Sequence, residues 1–101
     1  MYKPIFLRTE NQLNKILKAQ KKSGERVAIL FTSLWDPQSI KLVAQLKKST
    51  GSKPLYVVDS FTMPHAFVIF KTTKLPHLVR LGRRGMESED YLTNVYNLLG
   101  V

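Results

Sequence analysis

Leu34-Trp35-Asp36-Pro37-Gln38-Ser39 stands where one kind of hydrophobic periodicity gives way to another. Before it, residues 27–31 (Val-Ala-Ile-Leu-Phe) are apolar at every position, which suits a strand covered on both faces. After it, residues 40–48 carry apolar side chains at helical spacing, with Ile40, Val43, Ala44 and Leu46 expected inward and Lys41, Gln45 and Lys48 outward. Asp36 has the chemistry of a helix N-cap. Pro37 suits the first helical position, where its fixed dihedral is already helical and its missing N–H costs nothing. The stretch reads as a strand-to-helix corner following a central strand.

Working outward, residues 3–7 read as an edge strand, because Pro4 lacks the donor an interior strand needs. Thr9 then caps a helix with Gln12 as its capping-box partner; Leu13, Ile16 and Leu17 form its buried stripe, and Ser23-Gly24 ends it. Residues 55–58 predict a third strand and residues 66–70, apolar throughout, a fourth. Thr72-Thr73-Lys74 reads as a hairpin connection into a fifth strand at 78–81, placed at an edge by Pro76. Residues 82–85 are a loop. A last helix is expected to be capped by Ser88, with Glu87, Glu89 and Asp90 at its positive end and Leu92, Val95, Tyr96 and Leu99 buried.

A chain of 101 residues, 44% hydrophobic, fits one domain over residues 1–101, burying about two thirds of its unfolded surface. Sixteen basic against seven acidic residues give a formal charge of +9, which bears on partners more than on fold. There is no cysteine, and so no disulfide, thiolate nucleophile or cysteine-ligated metal. No apolar run approaches a signal-peptide core or the ~20 residues of a membrane span, so a cytoplasmic protein is expected.

Specific residues carry a family resemblance. The segment from Ala28 to Trp35 resembles the thioredoxin strand that leads into the active-site tryptophan, Met63-Pro64 resembles the cis-proline of that family, and Gly82 resembles its glycine after the last strand. The resemblance implies a thioredoxin-like α/β three-layer sandwich around a mixed five-stranded sheet. With a strand at 66–70, the order is β-α-β-α-β-β-β-α, lacking the family's third helix. Aligned on Trp35, the two redox cysteines fall on Asp36 and Ser39, and a buried aspartate falls on Leu30. A redox-inactive member is therefore implied. Trp35-Asp36-Pro37 is also similar to a motif of spliceosomal thioredoxin-like proteins, and small redox-dead members of the fold occur in phages.

The function expected from this is a non-catalytic protein-binding or scaffold module. Its groove would be formed by Trp35, Asp36, Pro37, Ser39, Met63, Pro64 and His65, with an unpaired backbone edge beside Pro64 for an extended peptide. The alternative is a nucleic-acid-binding accessory protein acting through phosphates with a basic hairpin surface: Lys71, Lys74, Arg80, Arg83 and Arg84, joined by Lys41 and Lys48. Asp36, Asp59 and His65 offer a conceivable carboxylate-histidine set, outweighed by capping and turn roles for both aspartates. His65 and His77 read as surface or half-buried imidazoles. No metal, cofactor or phosphate-binding glycine loop is expected.

Overall fold

A computed structural model describes residues 2–48, 51–72, 74–91 and 93–99. The elements run β1 (Tyr2–Phe6), α1 (Glu10–Ser23), β2 (Val27–Thr32), α2 (Pro37–Leu46), β3 (Lys53–Asp59), α3 (Pro64–Ile69), β4 (His77–Gly82), β5 (Gly85–Tyr91) and α4 (Thr93–Leu99). The sheet order is β1-β3-β2-β4-β5. The first three strands in that order are parallel; β4 runs antiparallel to β2, and β5 antiparallel to β4.

Central placement explains the unbroken apolar run of β2. Ile29 and Phe31 enter a core shared with Leu13 of α1 and Ala66 of α3, while Ala28 and Leu30 enter a second core with Leu42 of α2 and Val95 of α4. Two helices cover each face. The caps form as the sequence indicates. Thr9 Oγ1 accepts from Gln12 N–H at 3.3 Å while the Gln12 side chain accepts from Thr9 N–H at 3.2 Å. Gly24 leaves α1 at φ 72°, donating to Gln20 O at 2.8 Å. Asp36 Oδ2 accepts from Ser39 N–H at 2.9 Å, and Pro37 opens α2.

Several expectations are corrected. Residues 66–70 do not form a strand: α3 begins at Pro64, and the third helix is present, six residues long. Burial is one-sided, with Ala66 inside and Val68 and Ile69 outside, which an interior strand between two helical layers does not permit. The fourth strand in the chain is instead β4, and it lies between β2 and β5. Pro76 precedes it and so does not make it an edge. Glu87, Ser88, Glu89 and Asp90 belong to β5, reached through a tight turn at Arg83 and Arg84, and the last helix starts only at Thr93. The Thr72 segment is thus a helix-to-strand connection, with Thr73 outside the described residues. Leu92 and Gly100, assigned to the last helix and its stop, also lie outside them. In α2, Ser39, Leu42 and Leu46 are buried whereas Ile40 and Ala44 face outward. The Asp36 cap fixes the helix start, and the inward phase counted from it is 39, 42, 46.

Candidate functional site

The carboxyl ends of β2 and β3 lie side by side, Thr32 opposite Asp59. The loops that leave them are tied together by one side chain. Asp59 accepts from Leu34 N–H through Oδ1 at 3.0 Å and from Phe61 N–H through Oδ2 at 2.9 Å. Ser60 N–H donates to Thr32 O at 3.0 Å, Ser60 Oγ to Ser33 Oγ at 3.0 Å, and Trp35 N–H to Ser33 Oγ at 3.2 Å. With the polar groups turned into this network, the apolar side chains point away from it. Leu34 is 66% exposed, Trp35 81% and Phe61 70%. Trp35 is therefore not packed against α2. These side chains leave two loops that one carboxylate ties together, and exposed apolar area gathered in one place marks interaction sites.

The expected groove residues divide. Trp35 and Pro37 are exposed at the corner, but Ser39 is buried, its N–H and Oγ both donating to Asp36 Oδ2, the latter at 2.7 Å. Met63 is fully buried beneath the corner in the core with Phe31 and Val58, so it is no contact residue. Pro64 opens α3, and exposed His65 donates its N–H to Glu10 Oε1 at 3.0 Å, joining the starts of α1 and α3. The cis peptide bond is Leu75–Pro76, not Met63–Pro64. Because Phe31 pairs with His77, this bond lies beside the end of β2 where the corner begins. Leu34, Phe61 and Leu75 come to the corner through the fold, from three separate loops. A lone aromatic in the polar stretch Asp59-Ser60-Phe61-Thr62 was the available signal for Phe61.

No reactive set assembles here: Asp36 is committed to Ser39, Asp59 to two backbone amides, and His65 adjoins Glu10. Among the described residues no group of three or more His, Asp or Glu is placed to hold a metal.

His77 is not a surface imidazole. It is fully buried, stacked between Phe31 and Tyr91 with centroids 5.5 and 4.3 Å away. Burial lowers its pKa from 6.5, outweighing the opposing pull of Glu89 and Asp90, which favours the neutral ring. Nε2–H then donates to Glu89 Oε1 at 3.1 Å, and Nδ1 accepts from Thr72 Oγ1 at 3.0 Å. Tyr91 donates to the same Glu89 oxygen at 2.7 Å; this bond holds the Glu89 pKa down and raises that of Tyr91. Since His77 protonates less readily folded than unfolded, stability should fall as pH drops below about 6.5, at no more than about 1.4 kcal/mol per pH unit. Urea midpoints between pH 7.5 and 5.5 measure this. The decline should be absent in His77→Gln; a decline of equal size in that variant assigns it to another group.

The expected basic surface does not form one face. Arg83 and Arg84 occupy the β4–β5 turn, and half-buried Arg80 lies nearby on the α2/α4 side opposite Ser88. Lys71 and Lys74 precede β4, at its other end, about 20 Å away over six residues. Lys41 and Lys48 are exposed on and just after α2.

No family model and no curated protein matches the chain. Solved structures do. Thioredoxin NaTrxh from Nicotiana alata superposes with TM-score 0.81 at 12% identity, covering 98% of this chain and 89% of that one. Thioredoxin O2 from Arabidopsis thaliana, in its oxidized state, gives 0.76 at 17% identity over 97% and 90%. The chain has the thioredoxin-like fold. The Fasciola hepatica thioredoxin agrees, with TM-score 0.73 at 17% identity over 94% and 92%. At these identities the likeness is one of architecture alone. The thioredoxin-like fold is here built without cysteine. None of its described helices is long and apolar enough to cross a membrane.

Proposed function

We propose that this protein is a non-catalytic thioredoxin-fold binding module that receives a partner protein at the corner formed by Leu34, Trp35 and Phe61. The observation that carries this reading is the 81% exposure of Trp35 on a backbone pinned through Asp59. Fixing the loops before binding lowers the ordering cost of association, and tryptophan is the side chain most enriched among residues that dominate interface energy. The partner segment is an extended one with an apolar anchor. The β2–β4 ladder begins at Phe31 and His77, so the backbone at Leu75 lies beyond it, next to the corner. A strand-like segment there gains main-chain hydrogen bonds while its side chain covers Trp35. The non-catalytic character rests on the missing cysteines and on polar groups committed to the scaffold.

The test compares wild type with Trp35→Ala in capture from an extract of the source organism, with and without nuclease, followed by calorimetric titration of the captured protein into each of the two and by Trp35 fluorescence for wild type. A blue shift on binding and a loss of roughly 30-fold in affinity for Trp35→Ala are expected, with the melting temperature unchanged. Equal affinity of the two proteins for every captured partner would remove the corner as the site.

A further inference from the structure

The end of the molecule opposite the Trp35 corner gathers much of its positive charge. The strand registers place Arg26 and Lys53 together at the starts of β2 and β3, and pair Val27 with Leu81, which brings the Arg83–Arg84 turn to the same end. Gln20 of α1 fastens this end, its side-chain amide donating to Gly82 O at 2.7 Å and Glu25 O at 3.1 Å. Lys21 and Lys22 stand in the last turn of α1, where they also offset the negative end of that helix. Among the described residues, Lys53, Arg83 and Arg84 take part in no ion pair. Of the carboxylates at this end, Glu87 pairs with Arg26 at 3.3 Å and Glu25 is exposed.

Between these cations lies a cavity of about 550 Å³, walled by Ala28 and Pro54 and lined by Arg26, Lys53, Arg80 and Ser88 together with one carboxylate, Glu87, which Arg26 neutralises. Arg80 and Ser88 face each other across the β4–β5 ladder, and Arg80 Nε and Ser88 Oγ are both shut from solvent with no hydrogen-bond partner. A buried polar group without a partner is uncommon, and two adjoining ones beside a cationic cavity suit an acceptor that carries negative charge and several oxygens.

We infer that this end is a phosphate-binding pole for single-stranded nucleic acid, with one backbone phosphate entering the cavity beside Arg80 and Ser88 while Lys53, Arg83 and Arg84 meet its neighbours. A small adjustment of the guanidinium turns its Nε–H edge to the entering phosphate. A flexible single strand can project a phosphate into a recess; a flat anionic membrane reaches only the rim. Recognition is through the backbone and carries no base preference.

The probe is fluorescein-labelled oligothymidylate of 20 nucleotides, followed by anisotropy across a salt series. The wild-type slope of log affinity against log salt should be near −3, as for four to five neutralised phosphates at about 0.7 each. The triple variant Lys53→Gln, Arg83→Gln, Arg84→Gln should lower the slope by about 2 and the low-salt affinity at least tenfold. A control of equal charge change, Lys15→Gln, Lys41→Gln, Lys74→Gln, should shift the slope by less than about 1. Equal losses in the two triples would reduce the effect to net charge and overturn the pole, as would no binding of the oligonucleotide, or phosphatidylserine vesicles displacing it. Arg80→Met, checked for folding by circular dichroism, should weaken binding several-fold; unchanged binding would remove the cavity from the site. Trp35→Ala should bind the oligonucleotide as wild type does, so this proposal and the corner fail separately.

Discussion

Met63→Lys is expected to leave the chain unfolded at 25 °C and neutral pH. The Met63 side chain is fully buried in an apolar cluster with Phe31, Val58 and Ala66. An ammonium placed there either stays charged without a partner or gives up its proton, and each route costs several kcal/mol. A domain of this size has only about 5–15 kcal/mol in total. Met63→Leu, which keeps the volume, should cost under about 1.5 kcal/mol. Far-UV circular dichroism with urea titration of both variants measures the contrast. A folded Met63→Lys protein would place position 63 at the surface and restore it as a wall of the groove.

Phe31→Ala should destabilise the protein by about 3–5 kcal/mol and lower its melting temperature by roughly 15–30 °C. Phe31 sits at the carboxyl end of the central strand, fully buried, and meets Phe67 edge-on at 5.1 Å, Phe70 at 5.2 Å and His77 at 5.5 Å. One ring thus joins α3, β4 and the base of the corner. Its loss leaves a cavity between elements that other contacts hold apart, so collapse cannot recover most of the packing. It also admits water beside His77, which should return that imidazole toward its ordinary pKa and flatten the pH dependence of stability. A melting temperature within a few degrees of wild type would show that α3 closes over the gap.

Much of the architecture could be read where two local signals agree. Residues 27–31 and the Asp36-Pro37 start name β2 and α2 because an unbroken apolar run and a cap meet there. Thr9 with Gln12 and the Gly24 exit bound α1 in the same way. Where local signals compete, the sequence alone does not decide between them. Residues 66–70 are apolar enough for a buried strand, and over so short a run periodicity cannot separate strand from helix; Pro64 at a first helical position held the answer. Glu87, Glu89 and Asp90 resemble helix-start chemistry, yet the two-residue turn at Arg83 and Arg84 carries the chain straight into a strand. Pro64 and Pro76 both stand before apolar runs, and the cis bond falls at the second. For the site, Trp35 was legible by type and its exposure was not, since a tryptophan beside a helix serves packing as readily as contact. Phe61 joins it only because Asp59 binds two loops far apart in sequence. Arg26 and Lys53 join Arg83 and Arg84 only through strand register, a long-range property that linear charge spacing does not reveal.

The placement of three carboxylates in β5 also bears on how the molecule behaves in company. A five-stranded sheet has two open margins, and an unguarded margin is a template on which further copies can add. At β1, Pro4 stands in the middle of the strand and withdraws one donor from any approaching chain. At β5, Glu87, Glu89 and Asp90 would meet their own kind if a second copy paired antiparallel, with like charges crowded along a single seam. The acids are few in this basic chain, and three of the seven lie in a row along the margin most in need of them. A proline at one margin and acids at the other are features that disfavour growth of a sheet from one molecule to the next.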